Sequence, residues 1–195
     1  MSQDFPRLSA DDVIAELGRR FREPARDRRV YCVLGTYHEL DKFVPSIQEL
    51  CGRNSFGDTD NRVAFFDINR SLLEHLKSEG VLEKALELAE ALRNKELTRM
   101  VEEAWHNWLS SNIKMHRGLV LAGFELFYAY LDSNALALVR QYAINGKHIC
   151  LVLPGAERDH LVWAFDETQE YRRQVTGLVS EWTYVLEGDR HDDHT

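Results

Sequence analysis

Apolar residues along this chain follow two patterns in turn, one at helical spacing and one as short unbroken runs. Ser9 precedes Asp11 and Asp12, after which Val13, Ile14, Leu17 and Phe21 recur every three or four residues. This predicts a first helix with Ser9 as N-cap and acids in the first turn, where the helix dipole favours them. Pro24 and the basic stretch Arg26 to Arg29 close it. Val30 to Leu34 is an unbroken apolar run of strand length ending at Gly35, and Phe43, Ile47 and Leu50 then mark one face of a second helix. Pro45 is expected in the first turn of that helix, where a missing N–H is tolerated. Gly52 to Asn61 reads as a loop. Val63 to Phe66 is a second strand, ending at Asp67.

From Ser71 to about Leu109 the pattern is helical again, with Leu72, Leu76, Leu82, Leu86, Val101, Trp105 and Trp108, and Gly80 breaks it into two or three helices. Gly118 to Ala122 is a third strand, running on through Gly123 and Phe124 to Glu125. Leu126 to Ala143 returns to helix, closed by Asn145-Gly146. Ile149 to Leu153 is a fourth strand stopped by Pro154-Gly155, and Trp182 to Leu186 supplies a fifth. Continuous apolar strands separated by helices signal parallel strands covered on both faces. The expected fold is therefore a three-layer α/β domain over residues 1–187, with a mainly parallel sheet of about five strands. It carries a helical insertion at about 71–112, and a disordered acidic tail at 188–195.

Composition narrows the function more than it names it. Hydrophobic residues make up 44% and charged residues 29%, which is ordinary soluble globular usage and excludes a disordered or collagenous chain. Lys plus Arg total 24 against 32 Asp plus Glu, a net charge of -8, the wrong sign for general attraction to nucleic acid phosphates. Three widely spaced cysteines, with no CxxC, give neither a disulfide framework nor a zinc site. The first residues lack a signal peptide's basic flank and apolar core, and no apolar run reaches the roughly 18 residues of a membrane span. A cytoplasmic protein is expected.

Ligands of such folds sit at the carboxyl ends of the strands, here marked by Gly35, Asp67, Glu125 and Pro154-Gly155. The segment Gly35 to Lys42 stands where a phosphate-binding loop would. In that motif small residues let backbone N–H groups curl round phosphates, a Lys neutralises charge, and a Ser or Thr holds magnesium. Here Gly35 and Thr36 are followed by Leu40 at the second Gly position, Lys42 comes one residue late, and Phe43 replaces the hydroxyl. The position reads as a degenerate phosphate loop, in effect a polar βα connection. Asp67 and Glu125 form a possible metal-binding pair or pocket if their strands are neighbours. The eight histidines form no ligand cluster, and no nucleophile elbow or triad spacing is present. Trp105, Trp108, Tyr128 and Tyr130 sit at helical or strand spacing; core packing is the leading reading for them, and a protein interface, for the tryptophans that of a homodimer, is the competitor. No cofactor is expected.

The order of segments carries a family likeness. It runs from the strand-loop-helix at Val30 to Leu50 through Arg62-Val63-Ala64-Phe65-Phe66-Asp67-Ile68-Asn69 and the Leu72 to Lys84 helix around Gly80. It continues with Gly118-Leu119-Val120-Leu121-Ala122-Gly123 and Leu151-Val152-Leu153-Pro154-Gly155. The chain resembles the BrxB family of the BREX bacteriophage-exclusion systems, which has a helical LxxxLxxxGxLxK passage after the second strand and an aromatic before the late Pro-Gly, here Leu153. Phe124 to Pro154 and Glu170 to Arg173 are also similar to BrxF, a small P-loop protein of another BREX type. The resemblance implies a P-loop-NTPase-like scaffold and a non-catalytic adapter in an anti-phage complex. Its partners would be a methyltransferase, an ATPase and a phosphatase-like protein. The alternative is a divergent magnesium-dependent nucleotide or nucleic-acid hydrolase using Asp67 and Glu125.

Overall fold

The computed structural model describes residues 5–23, 29–53, 63–125, 130, 133–143, 147–165, 173–175 and 182–187. In chain order the elements are β1 (Arg7–Leu8), α1 (Ala10–Arg22), β2 (Arg29–Gly35), α2 (Tyr37–Gly52), β3 (Val63–Asp67), α3 (Ile68–Ser78) and α4 (Leu82–Glu90). They continue with α5 (Asn94–Met115), β4 (Gly118–Ala122), α6 (Ser133–Tyr142), β5 (His148–Arg158), β6 (Leu161–Ala164), β7 (Arg173–Val175) and β8 (Thr183–Leu186). Six strands form a parallel sheet in the order β1-β8-β2-β5-β4-β3.

Alternate residues of each central strand feed two separate cores, which is why these strands read as unbroken apolar runs. Cys32, Leu34, Leu119, Leu121, Leu151 and Leu153 point to one face, where α3, α4, α5 and α6 pack. Tyr31, Val33, Val120, Cys150, Val152 and Tyr184 point to the other, under α1 and α2. The three-layer α/β reading holds. The chain moves outward from β2 to β3 over the α2 face and returns through β4 to β5 over the opposite face, as right-handed connections require. That reversal opens a crevice at the carboxyl ends of the strands.

Three expectations need correction. The parallel sheet has six strands rather than five, since the two-residue β1 adds to β8. Pro154-Gly155 does not stop β5: Pro154 ends the parallel register opposite Gly35, and the strand then pairs antiparallel with β6, which pairs with β7. A Cβ on Gly155 would stand 2.2 Å from the Trp163 carbonyl oxygen, so glycine serves the close approach of β6 there. Pro45 lies in the middle of the sixteen-residue α2 instead of its first turn. Pro45 and Asp41 are both exposed, so the Asp41 carbonyl deprived of its N–H partner faces water, and the helix continues.

The helical passage packs on the sheet. Leu72, Leu76, Val101, Trp105 and Leu109 are buried against it. Gly80, at φ +69°, ends α3, and Val81 N–H donates back to the Leu76 carbonyl across the turn at 3.0 Å. Among the described residues no helix is long and apolar enough to cross a membrane.

Candidate functional site

The first strand-to-helix exit is closed by its own side chains. β2 ends at Gly35 and α2 begins at Tyr37, so Thr36 alone joins them. Thr36 Oγ1 accepts the Glu39 N–H at 3.3 Å, and Glu39 Oε2 accepts the Thr36 N–H at 2.7 Å. This reciprocal capping box satisfies helix-end donors internally and sets a carboxylate at the positive end of the helix. A Cβ on Gly35 would lie 3.0 Å from Leu186 Cδ1 and 3.2 Å from Glu39 Oε2, so Gly35 admits β8 and the cap rather than a curling loop. The polar connection expected over Gly35 to Lys42 is thereby corrected: residues 37–42 are helical, and Lys42 is an exposed residue of α2.

The two other exits meet. β3 and β4 are neighbours with Asp67 opposite Ala122, so the carboxylates singled out from the sequence come from adjacent strand ends. Asp67 Oδ1 caps α3 by accepting the Arg70 N–H at 3.0 Å. Glu125 Oε2 accepts from Asn69 Nδ2 at 3.0 Å, and the Asn69 N–H donates to the Gly123 carbonyl at 2.7 Å. Gly123 adopts φ +68°, and a Cβ there would fall 2.8 Å from Asp67 Oδ1. The left-handed turn and the closeness of Asp67 both call for glycine.

Together these residues border a groove of about 360 Å³. Leu40, Val44, Phe65, Ala122, Val152 and Pro154 give it apolar walls, while Asp41, Asp67 and Glu125 supply carboxylates, alongside Tyr37, Gln48, Asn69 and Arg70. Arg70 is itself engaged by Glu74, with Nε 2.8 Å from Oε1. Gly35 is not part of the lining, so the groove stands beside α2 rather than at a phosphate loop. Among the described residues no group of three or more His, Cys, Asp or Glu is arranged to hold a metal ion. Sequence reasoning placed Tyr37 and Asp41 in the connection after β2 rather than on a helix face, and missed Gln48. Their signal was the stripe Tyr37, Leu40, Asp41, Val44, Gln48 at helical spacing, which becomes one face of α2.

The aromatic candidates resolve differently. Trp105 and Trp108 are buried and stacked, with ring centroids 5.7 Å apart. Trp108 meets the edge of Phe66 at 5.0 Å and Trp105 that of Phe124 at 6.1 Å. The interface and dimer readings are corrected for these two, because their surface is already spent on the core. Tyr130 is half-buried against the same core, and Tyr128 lies outside the described residues.

At the opposite, amino end of the strands, His148 opens β5 and is 1% exposed. Its Nε2 lies 3.1 Å from the Glu23 carbonyl oxygen and its Nδ1 3.2 Å from the Tyr31 hydroxyl. A neutral ring satisfies both when Nε2–H donates to Glu23 and Tyr31 donates to Nδ1. Burial, with smaller contributions from Arg117 and Arg29, pushes its pKa down to about 4, against the pull of Glu23. The thiols of Cys32, Cys51 and Cys150 are free and buried, and burial raises all three, which leaves them protonated and unreactive. Neither a family model, nor a curated protein, nor a solved structure matches this chain.

Proposed function

We propose that this protein is a non-catalytic adapter: a P-loop-like α/β scaffold that no longer takes a nucleotide and holds partners in a BREX-type anti-phage assembly. The observation that carries the reading is the β2–α2 junction. A phosphate cradle needs several unengaged backbone N–H groups in an open loop. This junction is one residue long, and the Glu39 carboxylate occupies the helix end. The strand order is compatible with such a scaffold: β5 lies between the strand bearing Gly35 and the strand leading to Glu125, and all three open at their carboxyl ends onto one side of the sheet, where ligands of α/β folds sit. The resemblance to BrxB supplies the proposed context, which is cytoplasmic. It also supplies the proposed partners, namely a methyltransferase, an ATPase and a phosphatase-like protein.

Calorimetry with ATP and with GTP, each with magnesium, tests the nucleotide half. No heat at millimolar nucleotide is expected, and micromolar binding would overturn the reading. Stoichiometric co-purification with separately expressed partners of those three kinds is the positive test. A second reading, a magnesium-dependent hydrolase, is favoured by one observation, that Asp67 and Glu125 line the same groove. It requires magnesium-stimulated hydrolysis of nucleotide or nucleic acid, abolished by Asp67→Asn or Glu125→Gln.

A further inference from the structure

We propose that the groove at the carboxyl ends of β3, β4 and β5 is a docking slot for an arginine-bearing segment of a partner protein. This deepens the adapter reading and rests on it. A guanidinium group is planar, always charged and weakly hydrated, so it is matched by carboxylates at its edge and by aromatic or aliphatic surface across its faces. The groove offers both. Asp41, Asp67 and Glu125 supply acid, and Tyr37 and Phe65 supply aromatic surface alongside the aliphatic side chains of Val44 and Val152.

Charge selects the occupant. The lining carries three carboxylates against one cation, Arg70, which already pairs with Glu74, and the whole chain carries -8. A phosphate or an acidic peptide would be repelled on both counts. Size agrees: 360 Å³ lies at the lower end of ligand-sized clefts, which run from about 300 to 1,000 Å³. That is room for one long side chain and its neighbours. The Asp67 and Glu125 carboxylates are each held by a hydrogen bond from α3, to Arg70 N–H and Asn69 respectively, so little ordering cost attends binding at that end.

The probe is the peptide acetyl-Gly-Ala-Arg-Ala-Gly-amide, with its citrulline counterpart as the neutral isostere. Amide chemical shifts are followed in the full-length protein. Saturable shifts centred on Asn69, Gly123 and Glu125 are expected with the arginine peptide, with binding at least tenfold weaker for citrulline. The double variant Asp41→Asn, Glu125→Gln, confirmed folded by its melting curve, is expected to lose the response. Equal binding of the two peptides, or shifts scattered over the surface, would overturn the slot. So would displacement of the arginine peptide by millimolar magnesium chloride with shifts at the same amides, which would mark a metal site and favour the hydrolase. The two proposals fail separately. Absence of both peptide and nucleotide binding removes the slot and leaves the adapter, whereas micromolar ATP binding removes the adapter itself.

Discussion

The two ends of the parallel strands handle polar groups in opposite ways. At the amino end, His148, Tyr31, Arg117 and the Glu23 carbonyl are consumed by one another, and Arg29 lies over the Trp182 ring at 5.5 Å. At the carboxyl end, Asp67 and Glu125 remain exposed beside a groove even though each accepts a hydrogen bond. The starts of β2 and β5 carry a sealed polar cluster, and the ends of β3 and β4 lead into an open charged one. Polar groups are spent on one another at the first end and stay open to solvent at the second.

That contrast can be broken by substitution, and the largest effect belongs to the sealed end. His148→Ala should cost about 3 kcal/mol of unfolding free energy, because it opens a cavity, takes the acceptor from the Tyr31 hydroxyl and leaves the Glu23 carbonyl only its bond from Arg117. Denaturant melts at pH 7.5 measure it, and a loss below 1 kcal/mol would show that the cluster is not cohesive. Acidity probes the same residue. Its folded pKa, about 4, lies below the unfolded 6.5, so between those values the unfolded state binds more protons. Stability from His148 is therefore complete above about pH 6.5, declines as pH falls, and levels off below about 4. The total is on the order of 3 kcal/mol, read as the difference between wild type and His148→Gln across that window.

The open end should respond less. Asp67→Ala removes the cap of α3 and is expected to cost about 1 kcal/mol, with a matching drop in midpoint of the same melts. Asp41→Asn and Glu125→Gln should each change stability by less than about 0.5 kcal/mol while altering whatever the groove binds. If those two destabilise the fold as much as His148→Ala does, the division between ends fails.

Much of this architecture is legible in the sequence. Strands covered on both faces leave unbroken apolar runs, so β2, β3, β4, β5 and β8 stood out. The ribbon β5–β6–β7 did not, since Leu161-Val162-Trp163-Ala164 is short and Pro154-Gly155 imitates a stop. The start of α2 was hidden by the polarity of Thr36 to Lys42, although Thr36 followed by Glu39 three residues later is the signature of a capping box. Asp67 and Glu125 were visible as strand ends, but their adjacency depends on strand order, which no local pattern encodes. His148 passed unnoticed because it merely begins an apolar run, and its partners lie 117 and 125 residues away.

The single-residue junction at Thr36 has a mechanical consequence. With Gly35 held in register opposite Pro154 and Thr36 locked to Glu39, the joint between β2 and α2 has no play. Hinges absorb their change in backbone angles in a few loop or element-terminal residues, and here the one joining residue is held by the capping box. This part of the molecule is built as a strut, fixing the direction of α2 to that of β2.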